Sequence, residues 1–148
     1  MDWHGDLIPI LLAVACGFAI GLERELKHKA AGLRTNILIC LGAAIFTLIS
    51  ERMASGQQDS ITRIAAQIVT GVGFLGAGAV IQDRGGIHGL TTAASIWLVA
   101  SLGMACGARL YTLAVISTVL AIAVLIGLAQ IDKRIRPNQD NHKKNTGQ

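Results

Sequence analysis

The stretch RIAAQIVTGVGFLGAGAVI, Arg63–Ile81, decides the kind of fold this chain adopts. Within it, Gly71, Gly73 and Gly76 have the G-x-G-x-x-G spacing of a dinucleotide-binding loop. Such a loop needs a strand before it, a helix opening after it and an acidic residue about 20 positions further on. Here the preceding residues, ITRIAAQIVT, continue an apolar run, and the residues at the acidic position, TTAASIW, contain no acid. The glycines belong to an apolar helix, where they let neighbouring helix backbones approach closely.

Apolar runs recur outward from this one. Five are expected to form helices: Leu7–Leu22, Thr35–Ile49, Ile64–Ile81, Leu90–Met104 and Leu110–Ile131. Pro9 suits the first turn of the first helix, where a missing N–H costs little. Hydrophobic residues make up 52% of the chain and charged residues only 15%, the balance of a protein whose solvent is lipid. Backbone groups in lipid must be satisfied within the segment, which requires helices, and the alternation of a barrel strand is absent. The predicted fold is an all-α membrane bundle of about five transmembrane helices over residues 1–131, with a polar, disordered tail over 132–148. The opening MDWHGD lacks a basic region, so no cleaved signal peptide is expected.

The sequence pI is about 9.3, yet the basic residues fall between the apolar runs and only 4% of residues are aromatic, which argues against a nucleic-acid partner. Arg24, Lys27, Lys29, Arg34, Arg84, Lys133, Arg134, Arg136, Lys143 and Lys144 would share one side of the membrane, leaving Arg52, Arg63 and Arg109 on the other. Positive charge stays inside, so the N-terminus is expected outside and the C-terminus in the cytoplasm. A weak internal repeat at a constant offset pairs Gly21, Gly32, Leu33, Thr35, Ile39, Leu41 and Ala43 with Gly78, Gly89, Leu90, Thr92, Ile96, Leu98 and Ala100. The two copies would be helix hairpins in parallel orientation.

Arg63, Gln67, Gly71, Gly78 and Gln82 form a small and polar stripe that Gly73 and Gly76 widen. Ala13, Gly17 and Gly21 repeat the pattern in the first segment, as do Gly103 and Gly107 in the fourth. Such stripes serve tight contacts within one bundle, a homodimer face or a hinge. Cys16, Cys40 and Cys106 lack any metal-ligand spacing and read as small apolar residues, with a metal or redox role as the alternative.

The segments GFAIGLERE (Gly17–Glu25), AGLRTNILICLGAAIFTL (Ala31–Leu48), RIAAQIVTGVGFLGAGAVI (Arg63–Ile81) and GLTTAASIWLVASLGMACG (Gly89–Gly107) resemble, in order and spacing, the MgtC/SapB family of bacterial inner-membrane proteins. The resemblance runs from about Leu7 to Leu128. It implies a multi-pass protein of the inner membrane with a cytoplasmic C-terminus, linked to growth under magnesium limitation and, in pathogens, to survival inside phagocytes. Two activities have been attached to the family: magnesium transport, and regulation of other membrane machinery such as the proton-driven ATP synthase. Many members carry a cytoplasmic C-terminal domain, and a short form lacking it is the expectation here.

Polar residues near helix ends are the candidate site. Glu23, Arg24 and Glu25 close the first segment, either as an interfacial cluster that sets topology or as an internal ion pair or ligand site with Arg34, Thr35 and Asn36. Asp83, Arg84 and His88 occupy the turn QDRGGIHGLTT, an ordinary tight turn or a re-entrant loop, with Thr91 and Thr92 placed to cap the next helix or to bond to Asn36. Arg63 would pair with Asp6, Glu51 or Asp59. No nucleophile motif appears, so no catalytic residue or cofactor is expected, and no metal ligand is assigned. Beyond the bilayer, the expected partners are a second copy or another membrane protein. The expected function is non-catalytic regulation of a membrane protein through helix–helix contacts. A magnesium or other cation carrier is the alternative, opposed by the lack of Asp and Glu within segments two to five.

Overall fold

The computed structural model of the protein describes residues 3–53, 58–83 and 86–135. Five helices follow one another: α1 (Trp3–Leu26), α2 (Leu33–Met53), α3 (Gln58–Gly78), α4 (Leu90–Gly107) and α5 (Tyr111–Ile135). Four contain stretches long and apolar enough to cross a membrane: Gly5–Leu26, Leu33–Met53, Leu90–Gly107 and Tyr111–Leu128. The apolar part of α3 is shorter, Ala65–Gly78, because its first turn is the polar run Gln58–Asp59–Ser60.

Helix α1 begins earlier than the apolar run predicts, which puts Pro9 inside the helix rather than in its first turn. The side chain of Pro9 is fully buried. Helix α3 stops at Gly78, three residues before the predicted end. Ile81 instead opens β1 (Ile81–Asp83), which pairs antiparallel with β2 (Gly86–His88), in register Ile81 with His88 and Asp83 with Gly86. The expected turn or loop is thus a small β-hairpin, although Arg84 and Gly85 at its tip lie outside the described residues. Residues 132–135, the start of the predicted disordered tail, instead continue α5, and the rest of that tail lies outside the described residues.

Two helices end alike. After α1, Lys29 N–H donates to the Arg24 carbonyl and His28 N–H to Glu25; after α4, Leu110 donates to Ala105 and Arg109 to Cys106. These paired bonds close a Schellman turn, and His28 (φ 51°) and Arg109 (φ 60°) take the left-handed position that glycine usually fills. Gly89 precedes α4 at φ 89°, and a Cβ there would overlap the Ala79 carbonyl, so this junction needs glycine. The hairpins α1–α2 and α3–α4 have helices starting at Leu33 and Leu90, corresponding positions of the sequence repeat.

Helix α4 sits in the middle, against α1, α2, α3 and α5. Small residues make this crowding feasible: Ser95, Ala100, Gly103, Cys106 and Gly107 are all buried along it. A Cβ on Gly107 would come 2.6 Å from the Ala44 carbonyl, and one on Gly17 would come 2.9 Å from the Ile37 Cα. One apolar core joins α1, α2, α4 and α5 around Ile20, Cys40, Val99 and Leu102. A second joins α2, α3 and α4 around Ala43, Ile68, Val72 and Ile96. The outer surface is apolar as well: Leu113, Ile116, Leu120 and Val124 on α5 are exposed, as lipid contact requires.

Candidate functional site

The last turn of α1 carries charge into the bundle. The 100° step between helical residues turns Glu23 and Arg24 inward, at 8% and 2% exposure, and Glu25 outward. Each is engaged differently. Arg24 Nη2 donates to Thr92 Oγ1 at 2.8 Å, joining α1 to the first turn of α4 across 68 residues of sequence. Glu23 Oε1 lies 2.5 Å from Lys27 Nζ, which also donates to the Leu125 carbonyl of α5 at 3.0 Å. Glu25 Oε2 accepts the Leu33 N–H at 2.9 Å and so satisfies one of the free donors at the start of α2.

Asn36 completes the arrangement from α2. Fully buried, it donates through Nδ2 to the carbonyls of Ala31 (2.9 Å) and Gly32 (2.7 Å), fastening the α1–α2 turn onto the helix. Ser95 Oγ donates to the Thr92 carbonyl at 2.8 Å beneath the Arg24 contact. The result is a polar joint at one end of the bundle that ties α1, α2, α4 and α5 together. Glu23 Oε2, Arg24 Nε and Asn36 Oδ1 are buried there without a hydrogen-bond partner among the described residues. Burying such groups is costly, and ionised ones most of all. The charges of Glu23, Glu25, Arg24 and Lys27 balance, which limits that cost.

Not all the sequence candidates meet here. Glu23, Arg24, Asn36 and Thr92 are inside; Arg34, Thr35 and Thr91 are exposed. Thr92 bonds to Arg24 rather than to Asn36, because Asn36 is turned toward its own turn. Asp83 lies in β1, and its side chain is outside the described residues. Lys27 and Ser95 were not anticipated, although the spacing of four between Glu23 and Lys27 is a readable helical pair. At the opposite end Asp6 pairs with Arg52 and Glu51 with Arg109. These residues were expected as partners for Arg63, which is instead exposed. The side chain of Asp59 is outside the described residues.

The glycines divide into two groups. Gly17 and Gly21 seat α1 against α2, with Cβ positions 2.9 Å from the Cα atoms of Ile37 and Leu33. Gly76 faces Ala93 of α4 at 3.7–4.0 Å, continuing the face of Ile68 and Val72. Gly71, Gly73 and Gly78 have no atom of the described residues beyond their own helix backbone within 4 Å of a Cβ, so among the described residues only Gly76 of these glycines is packed against a neighbouring helix. Gly71 instead borders an apolar groove of about 580 Å³ between α2 and α3, lined by Leu38, Gly42, Phe46, Gln67 and Leu75 among others.

Comparison with known proteins bears on both features. No solved structure gives a significant match. "Protein MgtC" of Brucella abortus is 48% identical over 123 residues, covering 78% of this chain and 51% of the relative. "Protein MgtC" of Salmonella typhimurium is 40% identical over 129 residues, covering 87% and 54%. An Escherichia coli K12 protein named "Putative magnesium transporter YhiD" is 43% identical over 142 residues, covering 90% and 64%. The chain thus spans about half to two thirds of the length of these relatives. The model of the MgtC family matches residues 10–134, which contain the polar joint, the groove and all the packed glycines. With that match and the membrane-spanning helices, this is a membrane protein that belongs to the MgtC family.

Proposed function

We propose that the chain is a non-catalytic membrane protein that regulates another membrane protein by helix–helix contact, in adaptation to low magnesium. The observation that carries this reading is the open face of α3. Gly71 and Gly78 are exposed in an apolar helix, and Gly71 adjoins an apolar groove of about 580 Å³ between α2 and α3. Glycine at such a face lowers the cost of close backbone approach, the main source of association between helices in lipid.

The disposition of the carboxylates supports the same reading over cation transport. Asp6, Glu23, Glu25 and Glu51 stand at helix ends and are engaged with Arg52, Lys27, the Leu33 N–H and Arg109. A magnesium path needs oxygen ligands free to replace water, and carboxylates are the usual ones. The orientation belongs to the proposal too. The end bearing the polar joint also bears Lys29 and Arg34, and we place it in the cytoplasm of a bacterial inner membrane by the positive-inside rule.

The test combines growth under magnesium limitation with flux. Gly71→Leu places a side chain in the groove, at a position where no described atom beyond its own helix backbone lies within 4 Å of a Cβ. It is expected to abolish support of growth at low magnesium while the purified variant keeps its unfolding midpoint. Liposomes holding the wild-type chain should show no Mg²⁺ entry. Flux that disappears with Glu23→Gln would overturn the regulator and make the chain a cation carrier, as the name of the Escherichia coli relative has it.

A further inference from the structure

The open face of α3 carries more than glycine. Gln67, one turn before Gly71, is exposed and has no hydrogen-bond partner among the described residues. It lies within the apolar stretch Ala65–Gly78, where lipid gives an amide nothing to bond to. Phe74, on the turn after Gly71, is 81% exposed, the most exposed large hydrophobic side chain among the described residues. The 100° step between helical residues puts Gln67, Gly71, Phe74 and Gly78 within about 60° of one another around α3. Ile68, Val72 and Gly76 occupy the adjoining arc, against α2 and α4. The apolar stretch is also short: Ala65–Gly78 rises roughly 21 Å, against about 30 Å of hydrocarbon.

We propose that a second copy of this chain covers this face, in a dimer whose two-fold axis runs along the membrane normal beside Gly71. This occupancy rests on the reading of the α3 face as a surface for helix–helix contact. It makes the second copy the resting occupant, which the regulated protein has to displace.

The composition of the face selects a second copy. A two-fold interface must be complementary to itself. Copies of one chain insert with one orientation, so the two α3 helices run parallel and residues near the axis meet their counterparts at equal depth. An amide both donates and accepts, so the two Gln67 side chains satisfy each other across the axis, where a polar pair in lipid favours association. Phe74 is a knob, and the groove lined by Gly42, Gly71 and Leu75 is a hole, one of each per copy. Gly71 and Gly78 leave room for the backbones to close. Two equally short helices side by side also withdraw both mismatched faces from the bilayer. Arg63, two turns before Gly71, lies outside the apolar stretch, where helices crossing at Gly71 have diverged.

The test uses the full chain in vesicles of phosphatidylethanolamine and phosphatidylglycerol. Donor-labelled and acceptor-labelled copies are mixed, and energy transfer is followed as the protein is diluted in lipid. Saturable transfer that rises linearly with the acceptor fraction, the mark of a dimer, is expected. Gln67→Leu should weaken association about tenfold. Gly71→Leu should abolish it, and Trp97→Ala, at an exposed position of α4, should leave it unchanged. On mild oxidation Gln67→Cys should link two copies through the introduced thiols, as mapped by mass spectrometry. Transfer no greater than random proximity at every dilution, a curve that shows a larger assembly, or wild-type association of Gln67→Leu would each overturn the dimer. Dimer and regulator fail separately. If the wild-type chain is monomeric while Gly71→Leu still abolishes growth at low magnesium, the dimer falls and the regulator stands. If Gly71→Leu breaks the dimer and growth is unaffected, the regulator falls and the dimer stands. The dilution curve of the unsubstituted chain decides whether a dimer forms, so a variant that fails to fold does not affect it.

Discussion

In α4, Gly103 and Gly107 lie against the carbonyls of Cys40 and Ala44, whereas in α3 Gly71, Gly73 and Gly78 face no atom of another element among the described residues. Both helices are apolar, and both carry small residues one or two turns apart. The difference lies in their surroundings. Helix α4 has neighbours on nearly every side, and its glycines are where α2 comes closest. Helix α3 packs through Ile68, Val72 and Gly76 on one face only, which leaves its other glycines on the rim of a groove. Small residues in a membrane helix therefore mark where a backbone can be approached. Whether a helix of the same chain makes the approach is a separate matter.

Alanine substitutions on the two helices would separate these roles most sharply. Gly103→Ala should have the largest effect, because its methyl would overlap a backbone carbonyl that cannot rotate away. A loss of about 2–3 kcal/mol is expected, read as a shift in the SDS-unfolding midpoint of the purified protein. If Gly103→Ala left the midpoint unchanged, the contrast between α4 and α3 would be broken. Thr92→Val is next. It keeps the shape but removes the acceptor of Arg24, and should cost about 1 kcal/mol on the same assay, the usual scale of an interhelical hydrogen bond in lipid. Gly73→Ala should have the smallest effect and the opposite sign. With open space around it, the methyl adds only helix propensity, a gain of up to about 1 kcal/mol. Destabilisation there would mean that α3 is covered, by lipid or by another chain, more tightly than the open space indicates.

Much of the fold was readable. The five apolar runs became five helices, and the turn between the first two fell between Leu26 and Leu33. The ends were less legible. Helix α3 stops at Gly78 because Gly89 carries the chain back against Ala79, a contact between residues on either side of a hairpin that apolar periodicity does not register. Of the candidate site, Glu23, Arg24, Asn36 and Thr92 do converge, but Arg34, Thr35 and Thr91 point away. A shift of one residue in a helix turns a side chain by 100°, so neighbours in sequence part company between core and surface. The ion pairs Asp6–Arg52 and Glu51–Arg109 were anticipated as charges near one end but with the wrong partner, since Arg63 competes for neither acid.

The sequence by itself determined that the chain is a helical membrane protein, where its helices lie, and which residues are small enough for close contact. Those are properties of composition and spacing, and lipid enforces them locally by penalising every unpaired backbone group. Only the tertiary structure decided which glycines are sealed and which stay open, that Arg24 meets Thr92, and that Cys16, Cys40 and Cys106 share one core cluster. Each of those facts depends on how neighbouring helices are rotated about their axes. That rotation is set by contacts between residues far apart in the chain, and nothing local records it.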